Sequence, residues 1–129
     1  MNLIVSFPEG LKVNAEYNGF VHKTDQPVAG GGDGSAPSPF DMFRASIGTC
    51  AGIYILGFCK QRGIDASEVE IHQSMEFDPI KRMISKINLE IRVPDSFPEK
   101  YKAALINSAN LCAVKKHLEN PPEFHVYTN

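Results

Sequence analysis

Leu11, Val13, Ala15 and Tyr17 alternate with Lys12, Asn14 and Glu16, the two-residue period of a half-buried strand. Asn18-Gly19 follows, the pair preferred in a type I′ hairpin turn because both central residues need positive φ. Phe20 to Thr24 returns as the partner strand, and Leu3 to Phe7 adds another, ended by Pro8 and Gly10. Residues 25–37 carry most of the glycine-rich sequence and read as a flexible loop. The run Gly30-Gly31-Gly32-Asp33-Gly34 lacks the Gly-Lys-Ser/Thr ending of a P-loop and the third glycine of a dinucleotide fingerprint, so it predicts no phosphate site.

Ser38-Pro39-Phe40-Asp41 is a helix start. Ser38 can cap, Pro39 has no N–H to leave unsatisfied, and Asp41 faces the positive end of the helix dipole. The helix is expected to run to Arg62, with Gly63 as its stop. Its centre is apolar on most faces, which predicts burial all round. Gly48 and Gly52 each cost about 1 kcal/mol against alanine in a helix interior, a cost tolerated where another backbone approaches closely.

A second β unit follows. Val69, Ile71, Met75 and Phe77 alternate with charged and polar residues. After the Asp78-Pro79 turn, Met83, Ile87, Leu89, Ile91 and Val93 do the same, as expected of an antiparallel pair with one buried face. Ser96-Phe97-Pro98-Glu99 has capping-box spacing and predicts a helix through Tyr101, Leu105 and Ile106. Asn107, Ser108 and Asn110 predict a break, with Asn110 capping a short last helix that holds Cys112 in its first turn. Pro121-Pro122 ends that helix, and Glu123 to Thr128 reads as a final strand. Hairpin, long helix, hairpin, helix pair and strand make an α+β chain.

The 129 residues suit one domain, 1–129, on a prior of ~150 residues per domain. Thirteen basic and fifteen acidic side chains give a net charge of −2, without the basic excess that nucleic-acid binding demands. The most apolar stretch, Ala45 to Cys59, is bracketed by Arg44 and Lys60 and falls short of the ~20 residues of a membrane span, so it reads as a core helix. No basic residue precedes the apolar run at the N-terminus, so no secretory signal is expected. The odd number of cysteines (Cys50, Cys59 and Cys112) argues for a reducing cytoplasm over a disulfide framework. The histidines show no metal-ligand spacing to a cysteine, so neither metal nor cofactor is expected.

Cys50 stands mid-helix among small residues that leave room for a partner. A free cysteine most often packs as a small hydrophobe, and reactivity requires access and a lowered pKa. Cys112, at a helix start, has the dipole in its favour. Cys59 follows Cys50 by nine residues, which at ~100° per residue puts it on the opposite side of the helix. If two cysteines act together, they are Cys50 and Cys112.

The run Ala36-Pro37-Ser38-Pro39-Phe40-Asp41-Met42-Phe43-Arg44-Ala45-Ser46-Ile47-Gly48-Thr49-Cys50 resembles the signature of the OsmC/Ohr family. Cys112-Ala113-Val114-Lys115-Lys116-His117-Leu118 resembles that family's Cys-x-Val-x-x-x-Leu element. The resemblance spans nearly the whole chain and implies antiparallel sheets around a long central helix in an intertwined, cytoplasmic homodimer. It also implies a thiol peroxidase acting on organic hydroperoxides or hydrogen peroxide, with Cys50 as nucleophile, Cys112 as resolving thiol and an external dithiol as reductant.

Family peroxidases hold the nucleophile as thiolate with an arginine from the N-terminal β region, oriented by a carboxylate near the helix start. Here no arginine precedes Arg44, and Phe40 follows the proline with the acid one place later, at Asp41. That variation resembles a less characterised branch of the family. The enzyme reading therefore makes Asp41 the orienting acid and Arg44 a replacement cation. As an ordinary i,i+3 pair the two would contribute only ~0.2–0.5 kcal/mol. Without a nearby cation, burial among Ile47, Ala51 and Ile53 is expected to push the Cys50 thiol up. The alternative is a weakly active or inactive dimer that binds a small apolar ligand, with Phe40, Phe43, Tyr54 and Phe58 as candidate lining.

Overall fold

The computed structural model describes residues 2–129. The chain divides into two compact units, Met1–Ala45 and Ser46–Asn129. In the first unit, β1 (Ile4–Ser6), β2 (Val13–Tyr17) and β3 (Phe20–Thr24) form an antiparallel sheet in that order. Asn18 (φ 51°) and Gly19 (φ 78°) make the type I′ link that their dipeptide predicts.

The loop after β3 is pinned by its first residue. Asp25 is only 1% exposed, and its carboxylate accepts the Gln26 amide at 2.7 Å and the Ser35 amide and hydroxyl at 3.0 and 2.6 Å. A side chain at Gly32 would lie 2.1 Å from the Gln26 carbonyl, so glycine is required there. The sequence pattern predicts flexibility because composition cannot show that one carboxylate gathers the turn.

These donors, the Ser35 hydroxyl first, hold the Asp25 carboxyl at about 2 against an ordinary 3.8. A depressed folded pKa means stability that is present above pH ~4 and lost as pH falls toward 2. Asp25→Asn should therefore flatten the decline in folded-state stability across that window, measured by denaturant unfolding followed by circular dichroism. Parallel declines in the two proteins would show that another group is responsible.

α1 (Pro39–Gln61) starts as its sequence predicts, with Ser38 Oγ accepting the Asp41 amide at 3.1 Å, and stops at Gly63 (φ 64°). Its 23 residues are, by length and composition alone, enough to cross a membrane, which the shorter window 45–59 does not suggest. Burial is one-sided. Ile47, Ala51, Ile55, Phe58 and Cys59 form a single stripe, while Ile53 and Leu56 are 60% and 50% exposed. Expected burial all round is thus corrected: apolar composition does not reveal which face a single chain can cover.

In the second unit, β4 (Glu70–Asp78) pairs antiparallel with β5 (Met83–Arg92), placing Ile71 opposite Ile91 and Met75 opposite Ile87. A bulge at Glu76/Phe77 breaks the alternation, so Phe77 and Met83 are exposed where the period predicts burial. The group near Gly48 is a side chain, not a backbone: a Cβ there would lie 2.8 Å from Gln73 Oε1, whereas one at Gly52 would make ordinary contact with Ile71. Ala51, Ile55, Phe58, Cys59, Phe97, Leu105 and Ala109 form the core.

The expected capping box does not form. A 3-10 turn at Glu99–Tyr101 without a side-chain cap leads into α2 (Lys102–Ala109), and Phe97 is buried instead. Asn110 closes α2 rather than opening α3 (Ala113–Glu119), and Cys112 is the residue that caps α3. Residues 121–129 carry no strand, and Phe124 and Val126 are 87% and 92% exposed. Their alternation meets no neighbouring strand in this chain.

Candidate functional site

Cys50 and Cys112 lie 62 residues apart in sequence, yet each thiol shifts the ionisation of the other. Cys50 stands in the middle of α1, beside the buried stripe that begins at Ile47. Cys112 is carried there by the α2–α3 turn, which is locked to α1 by Ser108 Oγ donating to the Tyr54 carbonyl at 3.2 Å. The turn itself is closed by the Leu111 amide on Ser108 O at 3.1 Å and the Cys112 amide on Ala109 O at 3.4 Å. As N-cap of α3, Cys112 accepts the Lys115 amide on Sγ at 3.4 Å.

This geometry sets opposite directions for the two thiols. Cys50 is lowered from the ordinary thiol value by the Cys112 S–H first, then by the Val114 and Ala113 amides, against a smaller opposing effect of burial. Cys112 is raised, first by burial and then by its donation to Cys50. Burial was expected to push Cys50 up. The structure reverses that direction with neutral donors, because a thiolate needs hydrogen bonds as much as it needs a cation. Cys59 is wholly buried on the other side of α1 and is raised by desolvation.

Asp41 and Arg44 belong to the first unit and pair with each other at 3.1 Å, both substantially exposed. Phe40 and Phe43 also pair with one another, their ring centroids 5.5 Å apart. Tyr54 and Phe58 line an open cavity of about 570 Å³ with Arg62 and Ser108.

A second cavity, of about 490 Å³, opens on Cys112. Ile47, Ile87, Leu89, Ile106 and Leu118 make its walls apolar, with Lys115, Glu90 and Asn110 also lining it. Its size is that of a small-molecule site. Sequence reasoning missed this cavity because its walls come from α1, β5, α2 and α3 and share no local period. It also missed Cys112 as the N-cap of α3, since cysteine is not among the residue types that signal a cap.

The model of the OsmC-like protein family matches residues 32–126, which include Cys50 and Cys112. No curated protein matches the chain. Among solved structures, the chain resembles an osmotic stress induced and detoxification response protein from Psychrobacter arcticus. The match has a TM-score of 0.74 at 23% identity, covering 90% of this chain and 86% of that one. It resembles an organic hydroperoxide resistance protein from Legionella pneumophila with a TM-score of 0.53 at 19% identity over 92% and 89% of the two chains. An organic hydroperoxide resistance protein from Vibrio cholerae, with captopril bound in one of its active sites, matches with a TM-score of 0.56 at 15% identity over 94% and 86%. At these identities the likeness shows a shared α+β fold.

Proposed function

Since this chain belongs to the OsmC-like protein family, we propose that it is a cytoplasmic thiol peroxidase that reduces organic hydroperoxides or hydrogen peroxide. The observation that carries this reading is the mutual influence of the Cys50 and Cys112 thiols, with Cys50 the one held below its ordinary value. Cys50 as thiolate attacks the terminal oxygen of ROOH, the O–O bond breaks, and Cys50 becomes a sulfenic acid while RO⁻ leaves. The Cys112 thiolate then displaces hydroxide from that sulfur to form a disulfide, and an external dithiol returns both to thiols. The apolar cavity beside Cys112 supports an organic hydroperoxide as substrate.

The reading extends to Asp41 and Arg44, whose ion pair at the start of the Cys50 helix supports an acid that orients a cation. It also extends to a homodimer, supported by the exposed apolar face of α1 at Ile53 and Leu56. One equivalent of peroxide should convert two free thiols per chain into a Cys50–Cys112 disulfide, seen by thiol counting and peptide mapping. Retention of all three thiols, together with binding of an apolar ligand, would instead favour a binding protein that has lost turnover.

A further inference from the structure

We propose that the cavity between α1 and α2 is a second binding site, and that it takes a small organic carboxylate with an aromatic body. The proposal does not depend on the peroxidase reading. This cavity has a volume of about 570 Å³, enough for such a molecule. Tyr54, Gly57 and Phe58 line it from α1, and Asn107 and Ser108 from α2, whereas Cys112 lines the other cavity.

Charge selects the class of ligand. Arg62 lines the cavity and no acidic residue does, so the site is complementary to an anion. In the cavity beside Cys112, by contrast, Lys115 is accompanied by Glu90. Arg44 and Arg92 each have an acid partner, Asp41 and Glu90. Among the described residues no carboxylate lies within ion-pair distance of Arg62.

What holds Arg62 is neutral. Its guanidinium carbon lies 3.6 Å from the Phe58 ring centroid and 5.5 Å from that of Tyr101, and Nη1 donates to the Phe58 carbonyl at 3.2 Å. Phe58 is buried in the core and meets Tyr101 edge-on at 6.0 Å, so the ring beneath the cation is itself fixed. Stacking sets the plane of the guanidinium, and the carbonyl uses one of its N–H donors. The others remain for the two oxygens of a carboxylate, whose geometry the planar fork matches.

The floor of the cavity suits an aromatic ring. Gly57 lies inside α1, where glycine is costly, yet a Cβ there would meet nothing within 4 Å. No neighbour in the chain requires the missing side chain. Its absence leaves room in the cavity that Tyr54 and Phe58 also line, where a ring gains apolar contact. Gln61 and Asn107 add carboxamide donors to the lining. Ile53 lines the cavity too, and it belongs to the exposed face offered above to a second copy, so the test separates the two occupants.

Binding is measured from the backbone amide resonances of the full-length protein, titrated with 2-naphthoate and with its uncharged analogue 2-naphthamide. The carboxylate should move the Gly57, Gln61 and Asn107 signals saturably. It should bind about tenfold more tightly than the amide, the size expected of one charge-assisted hydrogen-bonded pair. Arg62→Gln should remove that difference and leave naphthamide binding unchanged. Gly57→Leu should abolish the shifts for both compounds. Leucine favours a helix more than glycine does, so an unchanged or raised unfolding temperature shows that the fold survives. Equal affinity for the two probes in the parent protein, or shifts confined to the cavity beside Cys112, overturns the proposal. So does an absence of binding at millimolar concentration. Binding that appears only on dilution to a monomer also overturns it, by making a second copy the occupant.

Discussion

Replacing Cys50 with serine should abolish peroxide consumption, because a serine hydroxyl ionises far less readily than a thiol and cannot attack the O–O bond. Cys112→Ser should complete one turnover and then stall. The sulfenic acid on Cys50 has no partner in that variant, so further peroxide carries it irreversibly to sulfinic acid. Intact-protein mass spectrometry separates these outcomes by the oxygen atoms gained. Cys59→Ser should leave the oxidation rate unchanged, since Cys59 is fully buried away from the other two sulfurs and its thiol is pushed up. It should lower stability instead, by placing a hydroxyl among Ala51, Ile55 and Phe58. A loss of peroxide consumption in Cys59→Ser as large as that in Cys50→Ser would overturn the assignment.

Elements with a local cause were legible in the sequence. Asn18-Gly19, Ser38-Pro39 and Gly63 each act through their own backbone, and the turn, cap and stop they specify are all present. The proposed pairing of Cys50 with Cys112 over Cys59 rests on helical phase and on the family resemblance. What depended on distant groups was not legible. The expected capping box at Ser96 gave way because Phe97 is drawn into the core. Cys112 takes the capping place expected of Asn110, which closes α2 instead, because the α2–α3 turn is set by Ser108 reaching Tyr54 on α1. The direction of the Cys50 shift was missed for the same reason. Its donors at Cys112, Ala113 and Val114 are more than sixty residues away in sequence, and no count of nearby cations reveals them. The tail at residues 121–129 shows the converse case: alternation of apolar residues specifies a strand only where an edge is there to receive it.

Cumene hydroperoxide should be reduced with a kcat/KM about 10²-fold above that for hydrogen peroxide. The chemistry at Cys50 is common to both oxidants, so the difference comes from what the rest of the substrate buries. The cavity that opens on Cys112 has apolar walls at Ile47, Ile87, Leu89, Ile106 and Leu118. Covering roughly 100 Å² of an aryl group there contributes about 2.5 kcal/mol at ~25 cal/mol per Å², a factor approaching 10². Hydrogen peroxide has no apolar surface to cover and gains nothing from the walls. Ile106 lines this cavity yet is itself half exposed, so Ile106→Asp changes the wall without opening a hole in the core. It should lower kcat/KM for cumene hydroperoxide about tenfold and that for hydrogen peroxide less than twofold, with Leu118→Asp as an independent second wall variant. The same loss for both oxidants would mean that the substitution disturbs the sulfur pair. No loss for either would mean that the substrate reaches Cys50 by another route, and the cavity beside Cys112 would then have no part in selecting it.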